Sequence, residues 1–196
     1  RDAGRARGRC QLVVTPGRPS EPAIDPKRVV ADGYDMIAER YFAWSDASPS
    51  PTRLAWLDRA VHRIPLGTDV LDLGCGAGIP MTRALAAGRR VTGVDLSARQ
   101  VELARRNVRE ATFTQADMTT LDLPPDSLGA VVAFYSLTHL PQAELPDLLA
   151  SIHRWLRPGG VFVATMGASE APDEIETDWL GVPMFFGHPR AKRNRA

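Results

Sequence analysis

Between residues 70 and 165 the chain alternates short apolar runs with segments whose apolar positions recur every three or four residues. The runs are Val70–Leu73, Arg90–Val94, Ala111–Ala116, Gly129–Phe134 and Val161–Thr165, and their lengths predict strands. Gly129–Phe134 (GAVVAF) is apolar without alternation, the pattern of a strand buried on both faces of a parallel sheet. Helical spacing appears in Met81, Ala84 and Leu85, with Gly88 as a natural C-terminal cap. It returns in Val101, Ala104 and Val108, where Ser97 followed three residues on by Gln100 reads as a capping box. A third stripe over Pro141–Leu156 comprises Leu145, Leu148, Leu149, Ile152, Trp155 and Leu156, with Pro146 tolerable near its start. Two helices precede the first strand. One starts at Asp25 and carries Val29, Val30, Tyr34, Ile37, Ala38 and Tyr41, weakened locally by Gly33; the other follows the turn at 48–52 and carries Leu54, Leu57, Val61 and Ile64. Strand–helix alternation predicts an α/β fold, a doubly wound and mostly parallel Rossmann-like sheet with helices on both faces.

Composition narrows the class. At 196 residues and 44% hydrophobic content the chain is the size of one domain with a sizeable core. No apolar run approaches the ~20 residues of a membrane span, and no apolar segment follows the Arg-rich start as a signal peptide requires. Cys10 and Cys75 stand far apart and form neither a disulfide framework nor a zinc spacing, so the expected compartment is cytoplasmic. Residues 1–20 carry five arginines against one acid and residues 190–196 four basic side chains against none, which leaves the body, 21–189, at −7. An acidic body argues against a nucleic-acid face. The expected organisation is a disordered or non-native tail over 1–24, one domain over 25–188 and a basic tail over 189–196.

Distinctive residues fall where the predicted strands end. Asp72 and the glycines Gly74, Gly76 and Gly78 close the first strand, Asp95 the second, Asp117 the third, and Phe134, Tyr135 and Ser136 the fourth. Ligands of open parallel sheets bind at those carboxyl ends. Glycines admit positive φ and close backbone approach to a ligand, and Pro80 suits a helix start. A carboxylate after the second strand suits the two hydroxyls of a ribose. Asp117 suits the amino group of a base, with the Met118 N–H for a ring nitrogen. The pattern is thus that of a nucleoside site. The dinucleotide fingerprint G-x-G-x-x-G is imperfect, because Ile79 stands in its third glycine position.

VLDLGCGAGIP (70–80), GVDLS (93–97), QADM (115–118) and LRPGG (156–160) together resemble a class I S-adenosylmethionine-dependent methyltransferase over about residues 29–188. The resemblance implies S-adenosylmethionine as cofactor, S-adenosylhomocysteine as product, and a small-molecule acceptor. Asp72, Gly74 and Gly76, with Cys75 and Gly78 in the same turn, would hold the methionine end. Asp95 would hold the ribose, Leu96 would pack on adenine, Asp117 and Met118 would read its edge, and Phe134 would line the site. YDMIAERYFAW (34–44) is similar to the family's N-terminal helix, where a tyrosine closes over the cofactor, which favours Tyr34 in that role over a core aromatic.

A sulfonium methyl is already activated, so the protein's task is alignment. A base is needed only where the acceptor loses a proton. His139 is the best-placed candidate for it, against the reading of a structural histidine, and Tyr135 either lines the acceptor pocket or merely packs there. His62 and His153, within helices, read as structural. The Asn/Asp-Pro-Pro-aromatic motif of base and glutamine methylation is absent after the fourth strand, where Phe134-Tyr135-Ser136-Leu137 stands, and no metal-binding acids appear there. The expectation is a metal-independent enzyme with in-line displacement. The alternatives are an NAD-dependent oxidoreductase and a non-catalytic cofactor-binding protein.

After the fifth strand, residues 176–188 carry Trp179, Leu180, Met184, Phe185 and Phe186. Two readings stand: a loop over the acceptor pocket, or a plug for the open sheet edge. The resembled family has two further strands, and PRAKRNRA (189–196) cannot supply them, so a five-strand sheet, a truncated or frame-altered end and an edge-paired homodimer are the expectations.

Overall fold

The computed structural model describes residues 24–47, 51–167 and 171–188; the terminal tails expected over 1–24 and 189–196 lie outside them, apart from Ile24. Two helices, α1 (Pro26–Ala47) and α2 (Pro51–Arg63), lead into β1 (Asp69–Leu73), α3 (Met81–Ala86), β2 (Arg90–Asp95), α4 (Ala98–Asn107) and β3 (Thr112–Gln115). Then come a 3₁₀ turn at Met118–Thr120, β4 (Leu128–Ala133), a second 3₁₀ turn at Leu137–His139, α5 (Leu145–Trp155) and β5 (Leu156–Ala164). A hairpin of β6 (Ala171–Trp179) and β7 (Val182–His188) closes the described chain.

The main sheet has five strands in the order β3-β2-β1-β4-β5, all neighbours parallel. Strand order reverses between β1 and β4, and that switch point positions the site. Alternation along β1 sends Leu71 and Leu73 to one face, against Leu148, Ile152 and Trp155 of α5. Val70 goes to the other face, against Leu57, Ala60 and Ile64 at α2 and Met81 and Leu85 of α3. Ala130 to Ala133 of β4 are fully buried between the layers, as their unbroken apolar run predicts. No described helix is long and apolar enough to cross a membrane.

Four expectations need correction. Leu54 is 41% exposed, because the buried face of α2 runs through Leu57, Ala60 and Ile64. Pro80 is the N-cap of α3 rather than its first residue, after a cis Ile79–Pro80 bond. β5 begins at Leu156: Leu128 pairs with Leu156 and Ala130 with Val161, so RPGG forms an irregularity inside the strand. Residues 171–188 are neither a loop nor an edge plug. They form an antiparallel hairpin outside the main sheet, with Val182, Met184 and Phe185 packed on Val30 and Ile37 of α1. Gly33 now has a reason in α1: a Cβ there would lie 2.9 Å from the Met184 Cε and the Pro183 carbonyl. The hairpin does not extend the sheet, and β5 remains its terminal strand among the described residues.

Candidate active site

A cleft of about 990 Å³, counted with its open mouth, lies over the carboxyl ends of β1, β2, β3 and β4 with α1 across it. Its lining includes Tyr34, Asp72, Gly74, Cys75, Gly76, Asp95, Leu96, Asp117, Met118, Phe134, Tyr135 and His139. Segments far apart in sequence thus meet on one rim. Gly78 is the exception. Its positive φ of +78° belongs to the turn, and a Cβ would approach Val108 Cγ2 to 3.1 Å, so it serves packing against α4 rather than the cleft.

The glycine turn hangs on the end of β2. The Gly74 and Cys75 N–H groups donate to the Val94 carbonyl at 2.8 and 3.0 Å, and the Gly76 N–H donates to Asp95 Oδ2 at 2.8 Å. Gly76 has φ +54°, and an added Cβ would meet nothing nearer than Gln100 Oε1 at 3.8 Å, so this backbone lies open to the cleft. Asp72 is buried beneath the turn and accepts from the Thr82 hydroxyl at 2.6 Å. Burial, with Asp95 and Asp72 nearby, pushes the Cys75 thiol well up and keeps it a neutral small packing group.

Asp95 Oδ1 accepts from the Ser97 N–H at 3.0 Å. Burial raises this carboxyl, opposed by the Ser97 and Gly76 N–H groups. The capping box expected from Ser97 and Gln100 is therefore only half formed. Ser97 Oγ accepts from the Gln100 N–H at 3.0 Å, but Asp95 holds the Ser97 N–H that the Gln100 side chain would otherwise take. Gln100 instead lines the cleft, its amide buried and without a partner in the protein.

Asp117 has two attachments that its sequence context concealed. Oδ1 accepts from the Thr119 N–H and hydroxyl at 2.9 and 2.8 Å, and Oδ2 accepts from Lys27 Nζ at 2.7 Å. Lys27 also pairs with Glu144 and donates to Thr119 Oγ1 at 2.7 Å, tying α1 to two loops of the rim. Burial works against both charges, yet these contacts hold Lys27 above and Asp117 below their ordinary values.

At the opposite end His139 joins α1 to the hairpin. Its Nδ1 lies 2.8 Å from the Phe185 carbonyl and its Nε2 lies 2.9 Å from the Tyr34 hydroxyl. A carbonyl only accepts, so Nδ1 carries the proton; in the neutral ring Nε2 then accepts from Tyr34. Burial, then Tyr41, raises Tyr34 well above the usual tyrosine value and keeps its hydroxyl a donor. Tyr41, Trp179 and Phe186 surround the pair, with Phe186 4.8 Å from the His139 ring and Trp179 5.7 Å from that of Tyr34. Trp179 and Phe186 back the cleft wall rather than line it. Tyr135, 43% exposed with φ +59°, stands at the mouth and its N–H donates to Thr165 Oγ1.

A switch-point cleft with a glycine turn and three successive carboxylates at strand ends defines a Rossmann-like nucleoside-binding protein. A methyltransferase-domain family model matches residues 70–160. The chain is 34% identical over 154 residues to the 27-O-demethylrifamycin SV methyltransferase of Amycolatopsis mediterranei, covering 67% of this chain and 55% of that protein. It is 28% identical over 169 residues to the ubiquinone biosynthesis O-methyltransferase of Cupriavidus pinatubonensis, covering 79% and 64%. The DhpI–SAH complex superposes with a TM-score of 0.63 at 25% identity, covering 84% of this chain and 80% of that one. The chain belongs to the class I S-adenosylmethionine-dependent methyltransferases. It spans less than two thirds of the length of these curated relatives.

Proposed function

We propose that the protein transfers the methyl group of S-adenosylmethionine to a hydroxyl oxygen of a small organic acceptor, with His139 receiving the acceptor's proton. The observation that carries the reading is the fixed tautomer of His139. The Phe185 carbonyl holds the ring proton on Nδ1, which leaves Nε2 as the basic nitrogen; Nε2 already accepts from the Tyr34 hydroxyl, so the acceptor's proton reaches it through Tyr34, which also lines the cleft. A hydroxyl acceptor must lose its proton as it is methylated, and a histidine suits that work near neutral pH. Both relatives named above are methyltransferases, and the Cupriavidus protein is by name an O-methyltransferase.

The residues fit the cofactor. Gly76 offers open backbone beside the buried Asp72, which suits the methionine end, and Asp95 suits the ribose. Leu96, Asp117 and Met118 line the same cleft and suit adenine. When bound, S-adenosylmethionine supplies a methyl group on a sulfonium whose leaving group is a neutral thioether. The protein's part is to hold the acceptor oxygen in line, to exclude water with the aromatic wall behind Tyr34 and His139, and to take up one proton: the Tyr34 oxygen receives it from the acceptor as the Tyr34 hydroxyl passes its own proton to His139 Nε2. Tyr135 at the mouth shapes the acceptor's entry. No step of this reading calls for a metal ion.

The test is calorimetric titration with S-adenosylhomocysteine and with NAD, followed by transfer of radiolabelled methyl to phenols, hydroxy acids and amines. S-adenosylhomocysteine binding and labelled phenols or hydroxy acids are expected. NAD binding without S-adenosylhomocysteine binding, or labelling confined to amines, overturns the proposal.

A further inference from the structure

Gln100 is 1% exposed, yet neither its Nε2 nor its Oε1 has a hydrogen-bond partner within the protein. Leaving a buried donor or acceptor unsatisfied destabilises a fold, and here one amide leaves both. Folding alone gives no reason for it. A leucine or methionine would fill the same space on α4 beside Val101 and Ala104 without that penalty.

The place of the amide gives the reason. Gln100 lines the cleft with Asp95 and Leu96, and its Oε1 lies 3.8 Å from where a Gly76 Cβ would stand. Its own N–H is taken by Ser97, and the Ser97 N–H by Asp95, so no local backbone partner draws the side chain away. We infer that Gln100 is a further binding residue of the cofactor site, whose amide pairs with the vicinal hydroxyls of the ribose. The inference rests on the nucleoside-cofactor reading above and adds to it a residue that the sequence pattern marks only as part of a helix cap.

Chemistry and place together select the diol. A carboxylate, as at the methionine end, would satisfy Nε2 and repel Oε1. The adenine edge offers an amino N–H beside a ring nitrogen and would satisfy both atoms, but Gln100 faces Gly76, whose N–H is held by Asp95, and that is the ribose end of the cleft. Two adjacent hydroxyls each donate and accept, so one can receive from Nε2 while the other donates to Oε1. Asp95 keeps further acceptor capacity beyond its bonds to Gly76 and Ser97, and takes the second hydroxyl proton.

The test uses Gln100→Leu in the full chain, with S-adenosylhomocysteine and its 2′-deoxy analogue as probes. Thermal unfolding without ligand and calorimetric Kd values are measured on both proteins. The variant is expected to unfold at the same or a higher temperature than the wild type, while its Kd for S-adenosylhomocysteine rises about 10- to 100-fold. The wild type is expected to prefer S-adenosylhomocysteine over the 2′-deoxy analogue about tenfold or more, and the variant to lose most of that preference. Undiminished affinity in the variant overturns the inference. So does a parallel fall in unfolding temperature and affinity with the 2′ preference kept, since that marks a packing role. If the wild type itself fails to bind S-adenosylhomocysteine, the cofactor reading fails first.

Discussion

Replacing His139 separates a base from a mere strut, because two substitutions remove different parts of its geometry. His139→Asn keeps an N–H close to the place of Nδ1, so the bond to the Phe185 carbonyl survives in kind. It deletes Nε2 and leaves the Tyr34 hydroxyl without that acceptor, a cost of about 1–3 kcal/mol in a buried setting. His139→Ala removes both bonds and the ring that packs 4.8 Å from Phe186, the last contact worth about 0.5–1.5 kcal/mol more. The expected stability losses are therefore about 1–3 kcal/mol for Asn and about 2.5–7.5 kcal/mol for Ala, read by urea unfolding. Catalysis should not follow that order. Loss of a general base lowers the rate about 10²- to 10⁴-fold, and both variants lack it. Single-turnover methyl transfer at saturating cofactor is the assay, with S-adenosylhomocysteine affinity as control. An Asn variant within about threefold of wild-type rate, with only the Ala variant impaired, refutes the base and leaves His139 a pin between α1 and the hairpin.

Further predictions concern the rim. Gly74→Ala should cost about 3–5 kcal/mol, since its φ is +72° and the new Cβ would stand 2.2 Å from Ser136 Cβ; chemical denaturation measures it. Lys27→Met should weaken S-adenosylhomocysteine binding and make it less sensitive to salt, read by calorimetry between low and high ionic strength. The pH dependence of that clamp has two limbs. Lys27 is raised in the folded protein, so its contribution is present below 10.5 and lost as pH climbs through the raised value; Asp117 is lowered, so its contribution is present above 3.8 and lost as pH falls through the lowered value. The stability difference between wild type and Lys27→Met should thus be level from about pH 5 to 9 and shrink at both extremes, by denaturation at each pH. Asp95→Asn should bind S-adenosylhomocysteine more weakly while its acid stability changes little, because burial already raises the native carboxyl; equal affinity would count against the ribose assignment.

The five strands of the main sheet and their helices were legible because each obeys a local rule. β4 reads as apolar without interruption because both its faces are covered, and α5 reads as a stripe because a single face is. The strand-end residues were legible for a topological reason. In a parallel sheet every strand ends on the same side, so Asp72, Asp95 and Asp117 share a rim wherever the strands lie in the order. The hairpin was not legible. β6 carries four acids in nine residues and no clean apolar alternation, and its fold depends on a face that α1 supplies through Val30, Gly33 and Ile37. Local pattern also misdirected Gln100. Ser97-x-x-Gln100 satisfies the capping-box rule, and only the position of Asp95, set by β2, decides that the side chain turns to the cleft. Lys27 carried no signal at all, being a lysine in a first helical turn until Asp117 and Glu144 approach from distant segments. The sequence by itself determined the sheet, its polarity and the carboxylate rim, through period, burial and glycine chemistry. The tertiary structure decided the tautomer of His139, the clamp at Lys27 and the orphaned amide of Gln100, because hydrogen bonds between remote segments exist only once the backbone has placed them.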